Sequence, residues 1–452
     1  MFRAISSKSF SQIWGSLAVL LIIIVFALLR LRFYGNPTLS IAGNDTISYV
    51  ESSQASLFSA EIWTGRRLFT TNLIYKVFKP ENGYEIKVNG SLETTKRVYQ
   101  PGFDKIVILQ TGLSILGWGL LAWLISENLH SRWAKITGTI LILAFAFTPQ
   151  IADWDSILLS ESLTFSLFAL QFALLIKIAF ALYKNPDASI VGWIFIWALV
   201  SFLWTFLRDT NMFTSIVTVS LIVLLMISPT YRKIKLLRGI VIFQVFMMLL
   251  AFLTARSSAR AMDQIDNLYI DDILPNPSLV AIFQEMGMPA ESFQDPKFGP
   301  WLQEHGNVTM IRFLLAHPGF VAQKLTRDFA PAFTEIKQTY FNARELNPAR
   351  DYLFDIGNAL HPENTTPFLT SLLILTGIVL VSFQNIANSR VWAWLGLWLF
   401  VSATLTLIPT ILGDTWALNR HALYSTTIFR LIPWVFSVVL IDLAIYKKDI
   451  AS

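Results

Sequence analysis

The chain has 452 residues, of which 54% are apolar and only 14% charged. An average globular protein has roughly 25% charged residues. Apolar runs of about 20 residues, the length that crosses a bilayer as a helix, recur along the chain. This composition excludes a soluble enzyme, a disordered chain and a nucleic-acid binder. It predicts an all-α polytopic membrane protein, and because cysteine is absent, disulfides and thiolate metal sites are excluded as well.

We predict about ten transmembrane helices, the third of which is short and ends at Pro149. The first is not a cleavable signal peptide, because its apolar run is too long and no small-residue cleavage site follows. Ten spans would occupy roughly 200 residues, so more than half of the chain lies outside the bilayer. The predicted spans are 12–30, 106–126, 136–150, 158–182, 189–207, 212–228, 239–254, 367–383, 391–411 and 424–446.

The distribution of Lys and Arg predicts the orientation of these spans. Short connections on one side hold twelve such residues, whereas those on the other side hold two, Arg208 and Arg420. Cytoplasmic loops carry the excess of Lys and Arg, so both termini are predicted to be cytoplasmic. Two long loops, 31–105 and 255–366, then lie on the outer face. We predict a multi-pass protein of a bacterial plasma membrane.

Both long loops are expected to carry amphipathic helices that lie on the membrane surface. In 66–79, apolar residues recur at helical spacing, cations flank the apolar stripe, and the run is too short to span a bilayer. The segment 307–333 repeats this pattern with a break at Pro318.

Asp45 is the first candidate for chemistry. It lies in the turn-forming run Gly43-Asn44-Asp45-Thr46, a short distance after the first span. Two roles fit this position: the N-cap of a helix, or a general base held at the membrane surface beside a polar cleft. The roles are compatible, because capping would fix the carboxylate in place.

Three more carboxylates, Asp153, Asp155 and Glu161, occur within nine residues and without a cation nearby in sequence. Asp153 and Asp155 would suit Mg²⁺ or Mn²⁺, which prefer oxygen ligands, or would cap helix N-termini. The sequence makes no cofactor certain. Glu161 lies just inside the outer edge of a span, where carboxylates are more often functional than accidental. It is the second candidate catalytic residue.

Basic residues gather at the outer ends of the spans and would suit a lipid-linked phosphate, through bidentate hydrogen bonds. Arg256 and Arg260 are four residues apart and are expected to share a helix face, with headgroup anchoring as the alternative. Arg208 would otherwise pair with its neighbour Asp209. Arg430 lies inside the last span and is expected to face a carboxylate or a cavity. The candidate phosphate-binding set is Arg208, Arg256, Arg260, Arg420 and His421.

The sequence lacks the common nucleotide-binding and nucleophile motifs. It contains no P-loop, no Gly-x-Gly-x-x-Gly fingerprint and no Gly-x-Ser-x-Gly elbow. The predicted cytoplasmic connections are too short to house a nucleotide site. A transferase acting on the outer face therefore needs a lipid-carried donor.

The layout resembles the GT-C superfamily of integral-membrane glycosyltransferases, most closely its protein-mannosyltransferase and aminoarabinose-transferase branch. The resemblance is carried by the first span, by Asp45 and the surface helices of the first outer loop, and by Asp-Trp-Asp-Ser-Ile-Leu-Leu-Ser-Glu-Ser-Leu at 153–163. It is best over 12–260. It implies a polyprenyl-phosphate sugar donor, inverting transfer and Asp45 as the catalytic base. One departure is Thr46, where the mannosyltransferases have Glu directly after the Asp.

The same resemblance places Asp153 and Asp155 in the second-loop acidic motif, which holds a metal in the oligosaccharyltransferase branch. The expected activity is therefore an outer-face glycosyltransferase with membrane-embedded lipid substrates and an unspecified acceptor. An O-antigen ligase or polymerase, and a transporter or flippase of lipid-linked sugars, are the alternatives. The expected divisions are a catalytic transmembrane module at 1–260, an outer loop at 255–366 and three C-terminal spans at 367–452.

Overall fold

The computed structural model describes residues 7–87, 100–185, 189–258, 260–289, 294–334, 349–384, 386 and 388–451. These residues form helices and their connections, as expected. Their one extended pairing is an isolated parallel bridge between Ile41 and Ile157. The first part of the chain contains α1 (Ser7–Tyr34), α2 (Asn44–Ser52), α3 (Glu61–Thr64), α4 (Phe69–Val77), α5 (Asp104–Glu127), α6 (Arg132–Phe147), α7 (Pro149–Ala152), a 3₁₀ turn (Asp153–Ser156), α8 (Glu161–Lys184), α9 (Val191–Thr205), a second 3₁₀ turn (Asp209–Asn211), α10 (Met212–Leu225), α11 (Pro229–Arg232) and α12 (Lys235–Arg256).

The second part of the chain begins with the short helices of the second long loop and ends with three long helices. Two π-helical turns interrupt the loop helices. The elements are α13 (Arg260–Leu268), a π-helical turn (Tyr269–Ile273), α14 (Pro277–Glu285), α15 (Phe298–Trp301), a π-helical turn (Leu302–Gly306), α16 (Asn307–Ala316), α17 (Pro318–Ala332), α18 (Arg350–Leu360), α19 (Thr366–Ser382), α20 (Ser389–Gly413), α21 (Leu418–His421) and α22 (Leu423–Ala451).

The chain is an integral membrane protein. Six of the described helices are long and apolar enough to cross a bilayer, namely α1, α5, α8, α12, α20 and α22. Helix α6 and the segment 149–156 would form a seventh span that bends by 57° after Phe147. The other three predicted spans coincide with α9, with 209–225 and with α19, which have only 10–17 residues each. At 1.5 Å per residue these do not cover about 30 Å of hydrocarbon unaided, so the count of ten stays a prediction.

Helix α8 forms the centre of the bundle and is the most buried of the six spanning helices. It packs closely on α5, where Gly117 lies against the backbone of Ser166. A Cβ atom at Gly117 would lie 2.5 Å from the Ser166 carbonyl oxygen. A side chain there would force the two helices apart, so the close approach of α5 and α8 requires glycine.

A buried ion pair fastens α1 to the centre of the bundle. Most of α1 exposes apolar side chains, as a lipid-facing helix does, but Arg30 and Asp155 are 0% and 1% exposed. Arg30 donates to one Asp155 oxygen through Nε at 3.0 Å and Nη2 at 2.8 Å, and to Ser114 Oγ at 2.6 Å. Ser162 Oγ donates to the other Asp155 oxygen at 2.8 Å. A charge buried at this depth needs such a set of partners.

The helices of the second long loop have a small core of their own, separate from that of the bundle. Tyr269, Phe283, Phe298 and Phe313 are fully buried in it. Lys324 of α17 pairs with Asp272 of the π-helical turn at 2.5 Å and with Asp328 of its own helix at 3.0 Å, and the first of these pairs holds α17 to the turn. The described residues of this loop thus form helices, and their placement on the membrane surface stays a prediction.

Arg430 of α22 fastens the end of that loop to the bundle. Its guanidinium donates to the carbonyl oxygens of Phe333 at 2.7 Å and Pro362 at 3.0 Å. The sequence predicts a carboxylate or a cavity as its partner. The hydrogen bonds go to the peptide backbone, and the Glu363 carboxylate lies close enough to interact electrostatically with the guanidinium. Carbonyl groups at the ends of α17 and α18 lack helical partners, and a buried guanidinium can satisfy several of them at once.

Candidate active site

A cavity of about 640 Å³ lies at one end of the helix bundle. It is bounded by the N-terminal end of α8, the C-terminal end of α20, the first residues after α9 and the helices α2 and α13. Both long loops thus contribute to one site, and so does the C-terminal segment. The charged and titratable residues in its wall are Asp45, Tyr49, Arg66, Arg67, Glu161, Arg208, Asp209, Arg260, Asp266, Asp414, Arg420 and His421.

Backbone pairing brings Asp45 to Glu161. The Ile41 amide donates to the Ser156 carbonyl, and the Leu158 amide donates back to Ile41, both at 2.9 Å. The Thr46 hydroxyl then donates to the Leu158 carbonyl at 3.0 Å. The first outer loop is therefore joined to the connection that precedes α8.

The structure corrects the expectation that Asp45 is an N-cap. Helix α2 begins at Asn44, so its N-cap is Gly43, and Asp45 lies in the first turn. The Gly43 amide donates to the Thr46 hydroxyl at 3.0 Å, which closes the helix start without a carboxylate. The Asp45 carboxylate is therefore available to other partners.

Two arginines hold the Asp45 carboxylate, one on each oxygen. Arg67 Nη2 lies 2.8 Å from Oδ1, and Arg420 Nη2 lies 2.8 Å from Oδ2. Burial alone would raise the pKa of Asp45, but Arg420 and Arg67 outweigh it and lower the pKa from 3.8 to about 2. These ion pairs stabilise the fold at pH values above about 3.8, and this stabilisation is lost as the pH falls through about 2.

Arg67 is a site residue that sequence reasoning placed elsewhere. The sequence pattern predicts a flanking cation of a surface helix, whereas the side chain turns inward into the cavity wall. Arg67 Nε donates to Ser48 Oγ at 2.6 Å, and the guanidinium lies 4.6 Å from the centroid of the Tyr49 ring. A cation over an aromatic face is held in place by that contact. The available signal was the pair Arg66-Arg67 directly before an apolar stripe.

Glu161 joins two of the predicted phosphate ligands. It is 3% exposed; its Oε1 accepts from Arg208 Nη2 at 2.7 Å and lies 3.6 Å from Arg420 Nε. Arg208 also donates to the His421 carbonyl at 3.1 Å. The alternative that Arg208 pairs with Asp209 is wrong, because Arg208 extends to α8 instead. Asp45, Arg420, Glu161 and Arg208 therefore form one chain of charges.

Asp209 pairs with Arg260 of α13 and not with its sequence neighbour Arg208. Arg260 Nε and Nη2 contact the two Asp209 oxygens at 2.8 and 3.0 Å, the bidentate geometry. Arg260 also donates to the carbonyls of Trp63 and Gly65 at 3.2 and 3.3 Å. This residue ties the second long loop to the first and to the cavity.

Arg256 is not brought into the cavity. The expectation that Arg256 and Arg260 share one helix face is wrong, because α12 ends at Arg256 and α13 begins at Arg260. The Ser258 hydroxyl donates back to the Ala255 carbonyl at 2.8 Å, which satisfies a carbonyl group at the end of α12. Arg256 is left exposed.

His421 completes the cavity wall beside Arg420. Its Nδ1 contacts the Asp414 carboxylate, and its Nε2 lies 3.3 Å from Arg420 Nη2. The intervening loop is strained: Ala417 has φ of 52°, a left-handed conformation that non-glycine residues rarely adopt. Such strain is maintained only where the surroundings fix the chain, and here it orients the turn that carries Arg420 and His421.

Asp153 and Asp155 lie outside the cavity wall. Asp155 is held by Arg30 inside the bundle, a partner 125 residues away that sequence reasoning missed. Within the described ranges, no group of three or more His, Asp or Glu side chains is arranged to hold a metal ion. A site for Mg²⁺ or Mn²⁺ at Asp153 and Asp155 stays a prediction from the sequence.

The chain is similar to solved structures of an archaeal oligosaccharyltransferase from Archaeoglobus fulgidus. One is AglB in complex with an inhibitory peptide and a dolichol-phosphate, with 12% identity and a TM-score of 0.47 over 97% of this chain and 52% of that one. The apo form has 11% identity to this chain and a TM-score of 0.46, and the match covers 95% of this chain and 51% of that one. The complex with zinc and sulfate has 11% identity and a TM-score of 0.42, and the match covers 94% of this chain and 50% of that one.

The chain thus spans about half the length of the solved structures that it matches. No family model matches it, and no curated protein matches it.

Proposed function

We propose that this protein is an outer-face glycosyltransferase that moves a sugar from a polyprenyl-phosphate donor to a hydroxyl acceptor, with Asp45 as the general base. The observation that carries the proposal is the meeting of Asp45 with Arg67, Arg208 and Arg420 in one cavity at one end of the bundle. The donor is a lipid-linked sugar, and the acceptor is a lipid, glycan or protein.

The cavity contains the two groups that sugar transfer from a phosphate requires. The acceptor oxygen attacks C1 of the donor sugar while the bond between C1 and the phosphate oxygen breaks. The acceptor proton passes to Asp45, and the polyprenyl phosphate leaves with its negative charge. Arg67, Arg208 and Arg420 are placed to bind that charge with directed N–H donors, which act most strongly where charge develops.

The ion pairs of Asp45 suggest how donor binding would prepare the base. With a pKa of about 2, the carboxylate is ionised at neutral pH but is a weak base. A bound phosphate would compete with Asp45 for the N–H groups of Arg67 and Arg420. Each contact transferred to the phosphate removes stabilisation from the carboxylate and raises its pKa. The base would therefore become stronger only when the donor is present.

Glu161 serves in this proposal as the residue that positions the arginines. Its Oε1 lies between Arg208 and Arg420, and its carboxylate is buried. Without a negative charge at that point, two guanidinium groups would face each other inside the wall. Glu161 thus allows several cations to gather at the phosphate position.

The proposed orientation places the cavity outside the cytoplasm, in a bacterial plasma membrane. Ser56 lies in the first long loop and is exposed. Because the native chain has no cysteine, a Ser56→Cys variant would carry the only thiol. We expect it to react with a membrane-impermeant maleimide added to intact cells. Labelling only after the cytoplasm is opened would reverse the proposed topology.

Removing Arg420 should weaken donor binding. Each charge-assisted hydrogen bond contributes roughly 1.5–3 kcal/mol, so Arg420→Ala should raise the donor KM by about ten- to a hundredfold. The Kd for a polyprenyl phosphate without sugar should rise similarly, which can be measured without knowing the sugar.

Arg256 offers a matched control, because it is an exposed arginine that lies outside the cavity wall. Arg256→Ala should leave both constants within about twofold of the wild-type values. Equal effects of the two substitutions would show that the phosphate binds elsewhere.

A further inference from the structure

A second cavity, of about 200 Å³, lies at the opposite end of the bundle. The first cavity touches the N-terminal end of α8 and the C-terminal end of α20, at Glu161 and Asp414. The second touches the C-terminal end of α8, at Tyr183, and the N-terminal end of α20, at Arg390. Because the same two helices connect them, the cavities lie on opposite membrane faces.

The wall of this second cavity is mostly apolar. Side chains from six helices form it, α8, α9, α10, α11, α12 and α20, and they include Leu175, Trp197, Ile222, Leu237 and Val391. An apolar cavity among spanning helices suits a hydrocarbon chain, which has no polar group that would need a partner.

The rim of the cavity is strongly basic. The segments that line it, 175–184, 222–240 and 389–398, contain seven Lys and Arg residues and no Asp or Glu, and one of the seven, Lys177, pairs with Glu127 of α5 at 3.6 Å. Arg390 is exposed and lies in the wall itself. Four more exposed cations follow or flank Tyr231 and Leu237, which also line the cavity: Arg232, Lys233, Lys235 and Arg238.

We infer that this cavity binds an anionic phospholipid, with an acyl chain in the apolar cavity and the headgroup phosphate at Arg390 and the cations of α11 and α12. A lysine or arginine is attracted to an anionic bilayer surface, and basic pockets between spanning helices bind anionic headgroups. Cations that only set topology need not surround a cavity. The lipid is distinct from the proposed donor, because it occupies the opposite face.

The test uses the full chain in mild detergent with equal amounts of dioleoyl phosphatidylglycerol and dioleoyl phosphatidylcholine. Native mass spectrometry counts the lipids that remain bound. We expect phosphatidylglycerol to be retained about tenfold more than phosphatidylcholine. Equal retention of the two lipids by the wild-type protein would refute the inference.

Three variants locate the bound lipid. Arg390→Gln removes the cation in the wall, and Ala179→Phe fills the cavity while every charge remains. Both should lower phosphatidylglycerol retention at least about fivefold. Arg132 is an exposed arginine at the start of α6, on the same face but outside the cavity wall, so Arg132→Gln should retain the lipid as the wild type does. Equal retention by Arg390→Gln, Ala179→Phe and Arg132→Gln would also overturn the inference.

Discussion

Asp45→Asn is expected to lower kcat for sugar transfer by at least about a hundredfold, with the protein still folded and inserted. A positioned general base typically contributes a factor of 10² to 10⁴ in rate, and an amide cannot accept the acceptor proton at neutral pH. Gly43 and Thr46 close the helix start, so the substitution does not remove a cap. The measurement is kcat and donor KM with a polyprenyl-phosphate sugar.

The change in donor KM distinguishes a catalytic base at Asp45 from a carboxylate with only a structural role. In Asp45→Asn, Arg67 and Arg420 lose an anionic partner that competes with the phosphate. Donor KM should therefore stay constant or fall while kcat collapses, a pattern that indicates loss of a group acting in the transition state. Glu161→Gln should instead raise KM, because it loosens Arg208 and Arg420. Normal turnover by a folded Asp45→Asn protein would remove Asp45 from the mechanism.

Arg30→Met is expected to lower the free energy of unfolding by about 3–5 kcal/mol. The substitution leaves Asp155 as a buried charge without its cation, and breaking a buried pair in this way typically costs that much. The side chains of both residues are at most 1% exposed, so water cannot solvate the Asp155 carboxylate once Arg30 is removed. The measurement is unfolding in mixed micelles with increasing sodium dodecyl sulfate.

Arg32 provides the comparison, since it lies two residues further along α1 and is exposed. Arg32→Met should change stability by less than about 0.5 kcal/mol. The double variant Arg30→Met/Asp155→Leu should regain part of the loss, because an apolar pair of suitable volume can replace a buried ion pair. If Arg30→Met and Arg32→Met were equally stable, Arg30–Asp155 would not hold α1 to the bundle.

The helical architecture follows from the sequence because apolar length and helical periodicity are local properties. Each of the ten predicted spans coincides with a helix or with the bent pair. Helices α4, α16 and α17 lie within the two predicted surface segments, and their position on the membrane surface stays a prediction. Whether α9, α10 and α19 cross the membrane depends on their tilt and on their neighbours, which sequence length does not determine.

The site could be predicted in part, because its residues stand at the outer ends of spans. Asp45, Glu161, Arg208, Arg260, Arg420 and His421 were all selected in this way, and all line the cavity. What the sequence could not supply was the pairing between them. Local reasoning joined Arg208 to Asp209 and Arg256 to Arg260, whereas folding pairs Arg208 with Glu161 and Asp209 with Arg260.

Asp155 shows why the acidic run could not be interpreted from sequence alone. The three carboxylates of this run, Asp153, Asp155 and Glu161, lack a nearby cation in the sequence, which left a metal ion or a helix N-terminus as the source of compensating charge. The compensation comes from Arg30, a residue on another helix whose side chain points into the bundle. Long-range ion pairs of this kind leave no signal in local sequence.

The most direct test of the proposal is an experimental structure of the protein with a polyprenyl phosphate added at saturating concentration. The account predicts density for the phosphate in the cavity, within about 3 Å of nitrogen atoms of Arg67, Arg208 or Arg420. It also predicts that Asp45 loses at least one of its two arginine contacts when the phosphate is bound. A phosphate bound outside this cavity, with Asp45 still held by Arg67 and Arg420, would contradict it.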